Sequence, residues 1–589
     1  MRSKAAAANT CRWCWRPSAS TAASATRALA PRPSRPAPSL PWGRCRRPAI
    51  ATPSPSSPAS PSRVGPESPA VAGARFSGGA AIEPSPLAVE DRPLARLPAP
   101  SRVYVPMLQH QGTPARPCVG VGQRVARGER IGVALDEYSA DVHASCSGVV
   151  RVIAARECGH PSGRAVTCIG IDCDGGDDFV TLPPLPGWRQ LDRFELAARL
   201  QAAGIVGLGG AAFPAAAKLA TASLDTHTLI VNGAESDPCA GSDAAVMRLR
   251  GDDVVAGAVM LGHVLSARRV VIAVNAALMP ALSALHRARA ANGDATDIEV
   301  VELPAHYPQG SERQLVYTVA SESLGADELP RDRGVLVFNV ATAAAAWRAV
   351  AHGEALVSRV VTVAGRGVRE PCTLEVPLGT PIADLVAAAG GYAEDARRLV
   401  AGGAMAGPSL PHDDIPVAKG TYNVLVLSSA ELQLDAVDMP CIRCGECARV
   451  CPSRLLPQSI VADIRGGDTA TAIERGLDDC IECGLCDTVC PSHIPLLHWL
   501  RHGIGEATIA ASERALADRS RMAHHARNAR LAMLAEERSR RLAERERAAL
   551  ANRGPAAPSA AAMPDVLAAA LAKARAGLRS DNDNGPSGS

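Results

Sequence analysis

Two cysteine runs in the last third of the chain carry its most specific chemistry. They read CIRCGECARVCP from Cys441 and CIECGLCDTVCP from Cys480. Each has the spacing C-x2-C-x2-C-x3-C-P, which is typical of bacterial two-cluster iron–sulfur sites. Thiolate sulfur is the soft ligand that iron prefers, whereas structural zinc takes four ligands per site, usually as two separated pairs, and fits this spacing poorly. Disulfides also fit it poorly, so the sequence predicts two 4Fe–4S clusters.

Crossed ligation is expected between the two runs, because the fourth cysteine of each run in this pattern binds the other cluster. It would hold the clusters close enough for an electron to pass from one to the other. The predicted ligands are Cys441, Cys444, Cys447 and Cys490 for one cluster, and Cys480, Cys483, Cys486 and Cys451 for the other.

A glycine-rich stretch, GIVGLGGAAFPAAAKLA, is the second candidate site. Gly207, Gly209 and Gly210 permit positive φ and a close approach of the backbone to a ligand. Backbone N–H groups of such a loop, followed by a helix, suit a phosphate. Lys218 adds a cation one turn into the helix. A glycine cluster can also be only a tight turn, so the loop alone is a weak indication.

An acidic loop follows the next apolar strand. The strand THTLIVN leads into GAESDPCAGSD, which places Glu235, Asp237 and Asp243 within nine residues. The plainer interpretation of these acids is a cluster that caps a helix N-terminus. Further along the chain come YPQGSERQLV and the strand VLVFNVAT, which contains Asn339.

The elements that must position these residues divide into several domains, as expected for 589 residues. Residues 76–185 read as short strands and glycine turns, which predicts a small β-barrel or sandwich. Residues 186–350 alternate helices with apolar strands, an α/β pattern. Residues 358–412 predict a small β-grasp module, and residues 503–552 predict one long, charged helix or a helical pair.

Composition limits the remaining possibilities. The net charge is +3, but the first 66 residues carry 11 Lys and Arg and no acid, so the rest of the chain is mildly acidic and offers no basic stripe for nucleic acid. Residues 1–75 have the composition of a transit peptide, but the favoured interpretation is a disordered leader or an over-long gene start. The ten cysteines outside the two runs are expected to be reduced. No segment predicts a transmembrane helix, since the apolar run from Val270 to Leu285 is too short and is interrupted.

The order of these motifs resembles the RnfC component of the Rnf (Rsx) ion-translocating electron transport complex. GLGGAAFPAAAK is similar to the GRGGAGFPxxxK loop of the related flavin-bearing NADH subunit of respiratory complex I, and NGAESDP is similar to its NADESEP. The segment VGQRVARGERIGVA resembles a barrel-sandwich hybrid domain, although Ser139, Ala140 and Asp141 occupy the hairpin where a cofactor lysine would stand. The β-grasp module is similar to the soluble-ligand-binding (SLBB) domain, with docking of its neighbours as the expected role.

This resemblance implies a multidomain fold of mixed α/β and α+β class. In order, it comprises a barrel-sandwich hybrid β domain, a Rossmann-like FMN/NADH domain, an SLBB-like β-grasp module, a bacterial two-cluster 4Fe–4S ferredoxin-like helical domain and a C-terminal helix. The predicted ranges are 1–75 for the leader, 76–185, 186–350, 358–412, 413–502 for the cluster domain, 503–552 for the helical arm, and 553–589 for a disordered tail with one short helix.

The resemblance also implies an activity: a translocase-type oxidoreductase subunit that passes electrons between NADH, non-covalently bound FMN and two 4Fe–4S clusters. The partners would be the other subunits of the membrane complex and ferredoxin or a similar small carrier, with no nucleic acid and no transmembrane helix of its own. The location would be peripheral, at the cytoplasmic face of the bacterial inner membrane. No catalytic side chain is predicted. The implied flavin-site residues are Gly207, Gly209, Gly210, Lys218, Asn232, Glu235 and Asn339.

Departures from the related families leave two alternatives open. Leu208 stands where complex I has an arginine, and Ala234 stands where it has an aspartate. Ser236 and Cys239 replace the cysteine and tyrosine usual in RnfC proteins. One alternative is the flavin and iron–sulfur cobalamin reductase of microcompartments, which has similar modules. The other is a non-catalytic iron–sulfur relay that has lost nucleotide binding.

Overall fold

The computed structural model describes residues 75–89, 93–159, 165–176, 178–325, 328–432, 437–554 and 565–577. The predicted leader, apart from residue 75, therefore lies outside the described residues, as does most of the predicted tail. The chain forms two compact units, Met1–Thr508 and Ile509–Ser589. No helix in the described ranges is both long enough and apolar enough to cross a membrane.

The first domain contains short strands in two small sheets. One sheet has the order β2-β8-β7-β4 and the other β3-β5-β6. Alternating buried side chains of β2 and β8, such as Val103, Val105, Ile169 and Ile171, form the core between them. The elements are α1 (Pro86–Val89), β1 (Ala95–Arg96), β2 (Arg102–Pro106), β3 (Arg116–Pro117), β4 (Arg124–Val125), β5 (Arg130–Val133), β6 (Val142–His143), β7 (Gly148–Glu157) and β8 (Ala165–Cys173).

Cysteines of this domain correct one prediction. Cys146 and Cys173 form a disulfide, so the expectation that every cysteine outside the two runs is reduced is wrong for this pair. Cys173 lies on β8 opposite Gly148 at the start of β7, which brings Cys146 beside it although 27 residues separate them in sequence.

The second domain is a parallel sheet covered by helices. Its strand order is β11-β10-β9-β12, and its central strands are almost entirely buried because helices cover both faces. The elements are α2 (Arg193–Ala202), α3 (Ala215–Ala220), β9 (Thr228–Gly233), α4 (Ser242–Leu249), α5 (Gly251–Val264), β10 (Arg269–Asn275), α6 (Met279–Ala291), β11 (Ile298–Leu303), α7 (Glu312–Ala320), β12 (Val335–Asn339) and α8 (Val340–Ala351).

A third domain packs against the first two. Its six-stranded sheet has the order β1-β14-β13-β17-β15-β16, so β1 of the first domain forms its edge. Strand pairing between domains fixes their mutual placement through backbone hydrogen bonds, which do not depend on long side chains. The elements are β13 (Ser358–Ala364), β14 (Cys372–Pro377), α9 (Ile382–Ala388), β15 (Ala396–Ala401), β16 (Ser409–Leu410) and β17 (Asn423–Ser428).

The last domain is helical and contains both cysteine runs. Ile460, Ile464, Leu477 and Leu500 form its small core together with Cys447 and Cys486. The elements are α10 (Glu446–Arg449), α11 (Pro457–Arg465), α12 (Thr469–Glu474), α13 (Leu485–Thr488) and α14 (Leu496–Ala551), and α15 (Asp565–Gly577) follows.

The segment predicted as one long helix or a helical pair is a single helix, α14, which is continuous over 56 residues. Its first turns bury Leu496, Leu497, Leu500 and Ile504. From Ile509 to its end every side chain is exposed. The arm is therefore held by its local charge pairs, such as Arg540 with Glu536 and Arg541 with Glu537.

Candidate flavin and iron–sulfur site

The crevice beside β9 and β12 is where the parallel sheet can bind a ligand. The chain runs from β9 outward through β10 to β11 and then returns to place β12 on the other side of β9. This reversal of strand order leaves a crevice at the carboxyl ends of the two strands, which is where open α/β sheets bind ligands. Asn232, near the end of β9, is in register with Asn339, the last residue of β12. Two of the predicted flavin-site residues thus stand side by side at the crevice.

The glycine loop is held at this crevice by backbone and side-chain bonds. Gly207 N donates to the carbonyl oxygen of Phe213 at 2.8 Å, which closes the loop. Leu208 N donates to the hydroxyl of Thr342 at 2.8 Å and so attaches the loop to the first turn of α8. Asn339 caps that helix by accepting from the N–H groups of Ala341 and Thr342. A helix N-terminus and a glycine loop meet here, as a phosphate requires.

Gly209 shows how closely the loop approaches the end of β12. A Cβ at this position would lie 3.3 Å from Nδ2 of Asn339 and 3.4 Å from its Cβ. Gly210, at φ +100°, would bring a Cβ to 3.1 Å from the ring of Tyr422. The crevice fits the phosphate end of FMN through backbone N–H groups of the glycine loop and through the second amide hydrogen of Asn232 and of Asn339, whose first hydrogens are donated to the carbonyl oxygen of Gly310 at 2.9 Å and to Asp243 at 2.6 Å.

Lys218 and Glu235 are engaged elsewhere in this structure. The ammonium of Lys218 donates to Glu312 at 2.7 Å and to the carbonyl oxygen of Val337 at 2.8 Å. The carboxylate of Glu235 accepts from the backbone N–H groups of Asp243 and Ala244 at 3.2 and 3.0 Å, and so covers the start of α4. The structure thus gives Glu235 the helix-capping role, while its part in flavin binding stays a prediction.

Buried acids surround the same crevice. Burial raises the pKa of Glu235, and the nearby Asp243 carboxylate raises it further. Burial also raises the pKa of Asp243, which accepts from Nδ2 of Asn339 at 2.6 Å. Asp237 accepts from Ala404 N at 3.0 Å, and its burial raises its pKa to about 7. Asp237 thereby joins the acidic loop to the GGAMAG loop (402–407) of the third domain.

The two cysteine runs share one backbone conformation. In the first run Arg443 and Gly445 have φ of +58° and +79°, and in the second Glu482 and Gly484 have φ of +54° and +79°. Each run then enters a four-residue helix, α10 or α13. Alternation of left- and right-handed backbone turns N–H groups toward a common centre, a geometry found around many iron–sulfur sites.

One cavity in the cluster domain is lined by four thiols that come from both runs. Its other walls are apolar, including Leu455, Ile481, Leu497 and Leu500. Burial raises the pKa of Cys483 to about 11, so thiolates need a cation in this cavity to be stable. Within the described residues, no group of three His, Cys, Asp or Glu side chains lies close enough together to hold a single ion. The four thiols belong to Cys451, Cys480, Cys483 and Cys486.

The other predicted ligand set lies nearer the surface. Cys441 and Cys444 are exposed, Cys447 is buried and Cys490 is half-buried. Cys447 donates to Oε1 of Gln458 at 3.1 Å. All eight cysteines of the two runs are free thiols in this structure, as metal ligands must be.

Tyr307 connects the flavin domain to the cluster domain and was not singled out from the sequence. It is buried, and its hydroxyl donates to the carbonyl oxygen of Cys483 at 2.7 Å. Arg501, on α14, donates to Glu482 and to the carbonyl oxygen of Ala406 in the GGAMAG loop, at 2.8 and 2.7 Å. The second run is thus fixed against the side of the molecule that carries the crevice.

Family models match four consecutive parts of the chain. They are the RnfC barrel sandwich hybrid domain at residues 74–176, the Nuo51 FMN-binding domain at 200–348, the SLBB domain at 360–409 and the 4Fe–4S dicluster domain at 440–494. This order confirms the predicted fold class and the predicted pair of cofactor-binding domains.

Curated relatives carry the name of the C component of the ion-translocating oxidoreductase complex, the RnfC protein. The chain is 40% identical to that of Pseudomonas aeruginosa over 77% of its own length and 58% of the relative's. It is also 40% identical to that of Rhodobacter capsulatus, over 65% of its own length and 73% of the relative's. A crystal structure of NAD+-reducing [NiFe]-hydrogenase in the H2-reduced state aligns with 18% identity and a TM-score of 0.38, over 55% of this chain and 62% of that one.

Proposed function

Because the chain belongs to the RnfC family of ion-translocating oxidoreductase complexes, we propose that it is the electron-input subunit of such a complex. It would accept electrons from NADH at the crevice and deliver them through the cluster domain to other subunits or to a small carrier such as ferredoxin. The observation that carries this proposal is the 2.7 Å hydrogen bond from Tyr307 to Cys483, which joins the two cofactor-binding domains inside one compact unit.

The flavin supplies the chemistry that side chains lack, since bound FMN can take a hydride and give up single electrons. The chain's part is to bind and orient it. Asn232, Asn339 and the N–H groups of the glycine loop would hold the phosphate. Tyr422 and the GGAMAG loop, both in the third domain, would cover the glycine loop, because Tyr422 packs against both Gly210 and Gly402. The ammonium of Lys218 has three hydrogens, two of which go to Glu312 and to the carbonyl oxygen of Val337, so the third would be the one to donate to the phosphate.

The eight cysteines would hold the two clusters in the crossed arrangement. Cys451, Cys480, Cys483 and Cys486 would bind the cluster on the flavin side, in the cavity that they already line. Cys441, Cys444, Cys447 and Cys490 would bind the outer cluster. The two clusters would lie close enough for electron transfer as long as the two cysteine runs stay packed against each other. Both runs contribute to the shared core of the cluster domain, which supports this packing.

The outer cysteines indicate where a partner would dock. Cys441 and Cys444 are exposed, and beside them Ile442 and Met439 expose 68% and 56% of their surface. An apolar patch around a redox centre suits the transient docking of a small electron carrier. The exposed arm of α14 would add a contact to membrane subunits, and the protein would work as a peripheral subunit at the cytoplasmic face.

Anaerobic reconstitution tests this function. The full chain, loaded with iron, sulfide and FMN, should show flavin absorbance that NADH bleaches, followed by reduction of the clusters. Clusters without flavin would favour the non-catalytic relay instead. Ile442→Asp should slow transfer to ferredoxin several-fold and leave bleaching by NADH unchanged. Leu224→Asp is the matched control, because Leu224 is 88% exposed and precedes the amino end of β9, whereas the crevice lies at the carboxyl end of that strand.

A further inference from the structure

Lys419 is a buried lysine at the junction of the first three domains. It belongs to the segment VAKGT (417–421), between β16 and β17 of the third domain, and none of its surface is exposed. A lysine is almost never fully buried unless its ammonium group is bonded. No role for this residue follows from the proposed flavin or cluster chemistry, so the bonds that it makes are the guide to what it does.

The side chain of Lys419 joins the flavin domain to the first domain. Its Nζ donates to the carbonyl oxygen of Gly204 at 2.7 Å and to that of Asp141 at 3.1 Å. Gly204 follows α2 and begins the stretch that contains the glycine loop. Burial lowers the pKa of Lys419 to about 7, and a neutral amine still has two N–H hydrogens. Both bonds can therefore persist in either protonation state.

The backbone of Lys419 is also held from two sides. Its N–H donates to Oε1 of Gln109, in the first domain, at 3.1 Å. Its carbonyl oxygen accepts from the guanidinium group of Arg359, which also donates to the carbonyl oxygen of Leu208 at 3.2 Å. Lys419 thus reaches the beginning of the glycine loop with its side chain, and the middle of the loop through Arg359.

The hairpin at residues 136–141 of the first domain forms the other side of this junction. The amide of Gln201, in α2, donates to the carbonyl oxygens of Asp136 and Ser139 at 2.8 and 3.1 Å. The N–H group of Asp141 donates to the carbonyl oxygen of Gln201 at 3.1 Å. Ser139 is fully buried, so the hairpin where a cofactor lysine would stand is a support for the flavin domain in this chain.

We propose that Lys419 positions the glycine loop for FMN by fixing Gly204 against this hairpin. The proposal rests on the proposed function, in which the loop binds the flavin phosphate. Because Gly207, Gly209 and Gly210 give the free loop many conformations, ordering it on binding costs more entropy than ordering another sequence. A bond at the beginning of the loop removes part of that cost before flavin arrives. The third domain thereby acts on flavin affinity through one buried ammonium group.

Titration of the full chain with FMN, followed by flavin fluorescence, tests the proposal. Lys419→Met should weaken FMN binding about tenfold, because affinity falls with the fraction of chains whose loop is in the binding geometry. Lys419→Gln has a side chain of the same length as Met, and its amide hydrogens can still donate to one of the two carbonyl oxygens. It should bind FMN about threefold more tightly than the Met variant.

The order of these two variants separates positioning from packing. If Lys419 only filled space, Met would be the better replacement, since burying an amide costs more than burying a thioether. Ser145→Ala is the matched control. Ser145 is buried and joins the first domain to the third by donating to the carbonyl oxygen of Leu378 at 2.5 Å. This variant should bind FMN as the wild type does.

Amide hydrogen exchange of the flavin-free chain gives a measurement that does not depend on FMN. Lys419→Met should raise exchange in the peptide 204–212 and leave exchange in β10 unchanged, because the lost bonds hold the loop and not the sheet. Ser145→Ala should leave both unchanged. A wild-type chain that binds no FMN would count against the proposed function itself, whereas faster exchange of this peptide would still place the action of Lys419 at the loop.

Three results would overturn the proposal. They are an FMN affinity that Lys419→Met leaves unchanged, a Met variant that binds FMN at least as tightly as the Gln variant, and exchange that rises equally in β10 and in the loop. Should neither Lys419 variant fold, Gln109→Leu decides the matter, because it removes the acceptor of the Lys419 N–H group and keeps the ammonium group. This variant should bind FMN more weakly, and wild-type affinity would contradict the proposal.

Discussion

The hydroxyl of Tyr307 donates a hydrogen bond of 2.7 Å to the carbonyl oxygen of Cys483. Tyr307 belongs to the flavin domain, and Cys483 is a predicted ligand of the inner cluster. Around this bond Tyr307 packs with Val450 and Leu485 in a small apolar cluster. The contact therefore places a donor dipole next to the cluster cavity and holds two domains in register.

Tyr307→Phe should change the reduction potential of the inner cluster, the one that Cys451, Cys480, Cys483 and Cys486 would bind. The potential of the outer cluster should stay the same. Removing a donor near a cluster lowers its reduction potential, because the reduced cluster carries more negative charge. We expect a lower potential for the inner cluster in a redox titration followed by electron paramagnetic resonance, with unchanged iron content. Tyr392→Phe is the control, since Tyr392 bonds to Asp413 in the third domain. Equal shifts of both clusters, or none, would contradict a local effect.

Replacing a single cysteine should remove one of the two clusters and so halve the iron content. Cys444→Ala and Cys483→Ala should each lose one cluster, about four of eight irons, because an exposed and an inner ligand belong to different sets. In the cluster-free protein, Cys441 and Cys444 should react with an alkylating reagent faster than Cys447, which is buried. Unimpaired electron transfer past the flavin in the Cys444 variant would refute the wiring.

Gly209→Val should lower FMN content with both clusters retained. Its Cβ would lie within 3.4 Å of Asn339, so the branched side chain must displace the loop or the end of β12. Gly120→Val is the matched control, because a Cβ at Gly120 meets nothing within 4 Å. Flavin released after denaturation is the measurement, and an equal flavin content in the two variants would exclude the loop as the binding element.

The raised pKa of Asp237 predicts that the free energy of unfolding depends on pH. Its pKa is raised to about 7 by burial, so between pH 4 and 7 the folded state binds more protons than the unfolded state, and stability falls as the pH rises. Asp237→Asn keeps an oxygen that can accept from Ala404 N and removes the charge. Thermal melts at pH 6 and pH 8.5 should therefore show a smaller loss of stability in the variant than in the wild type. A loss of the same size in both would show that Asp237 is not responsible.

Most of the predictions from the sequence came from the spacing of residues within short segments. The cysteine runs and the glycine loop are short segments whose conformation depends on neighbours in sequence, and the four domains were predicted in their observed order. Contacts between domains could not be predicted from the sequence, because the residues that make them are far apart along the chain. Tyr307 lies 176 residues from Cys483, and Asp237 lies 167 residues from Ala404. Nothing local distinguishes these residues, because a buried tyrosine or a loop aspartate has many uses.

Glu235 illustrates the reverse case. The sequence offered both a flavin role and a capping role, and only the folded geometry, with two backbone N–H groups of α4 bonded to its carboxylate, shows where the side chain is committed. Tyr422 could not be found either, since its contact with Gly210 depends on how the third domain packs.

The most direct test of the account is to add NADH to the anaerobically reconstituted full chain and to follow flavin absorbance and the paramagnetic signals of reduced clusters in the same sample. With about one FMN and eight iron per chain, NADH should bleach the flavin and then produce the signals of reduced 4Fe–4S clusters. Bleached flavin beside clusters that stay oxidised, or an iron content far below eight, would contradict the claim that the crevice and the two cysteine runs form one electron path.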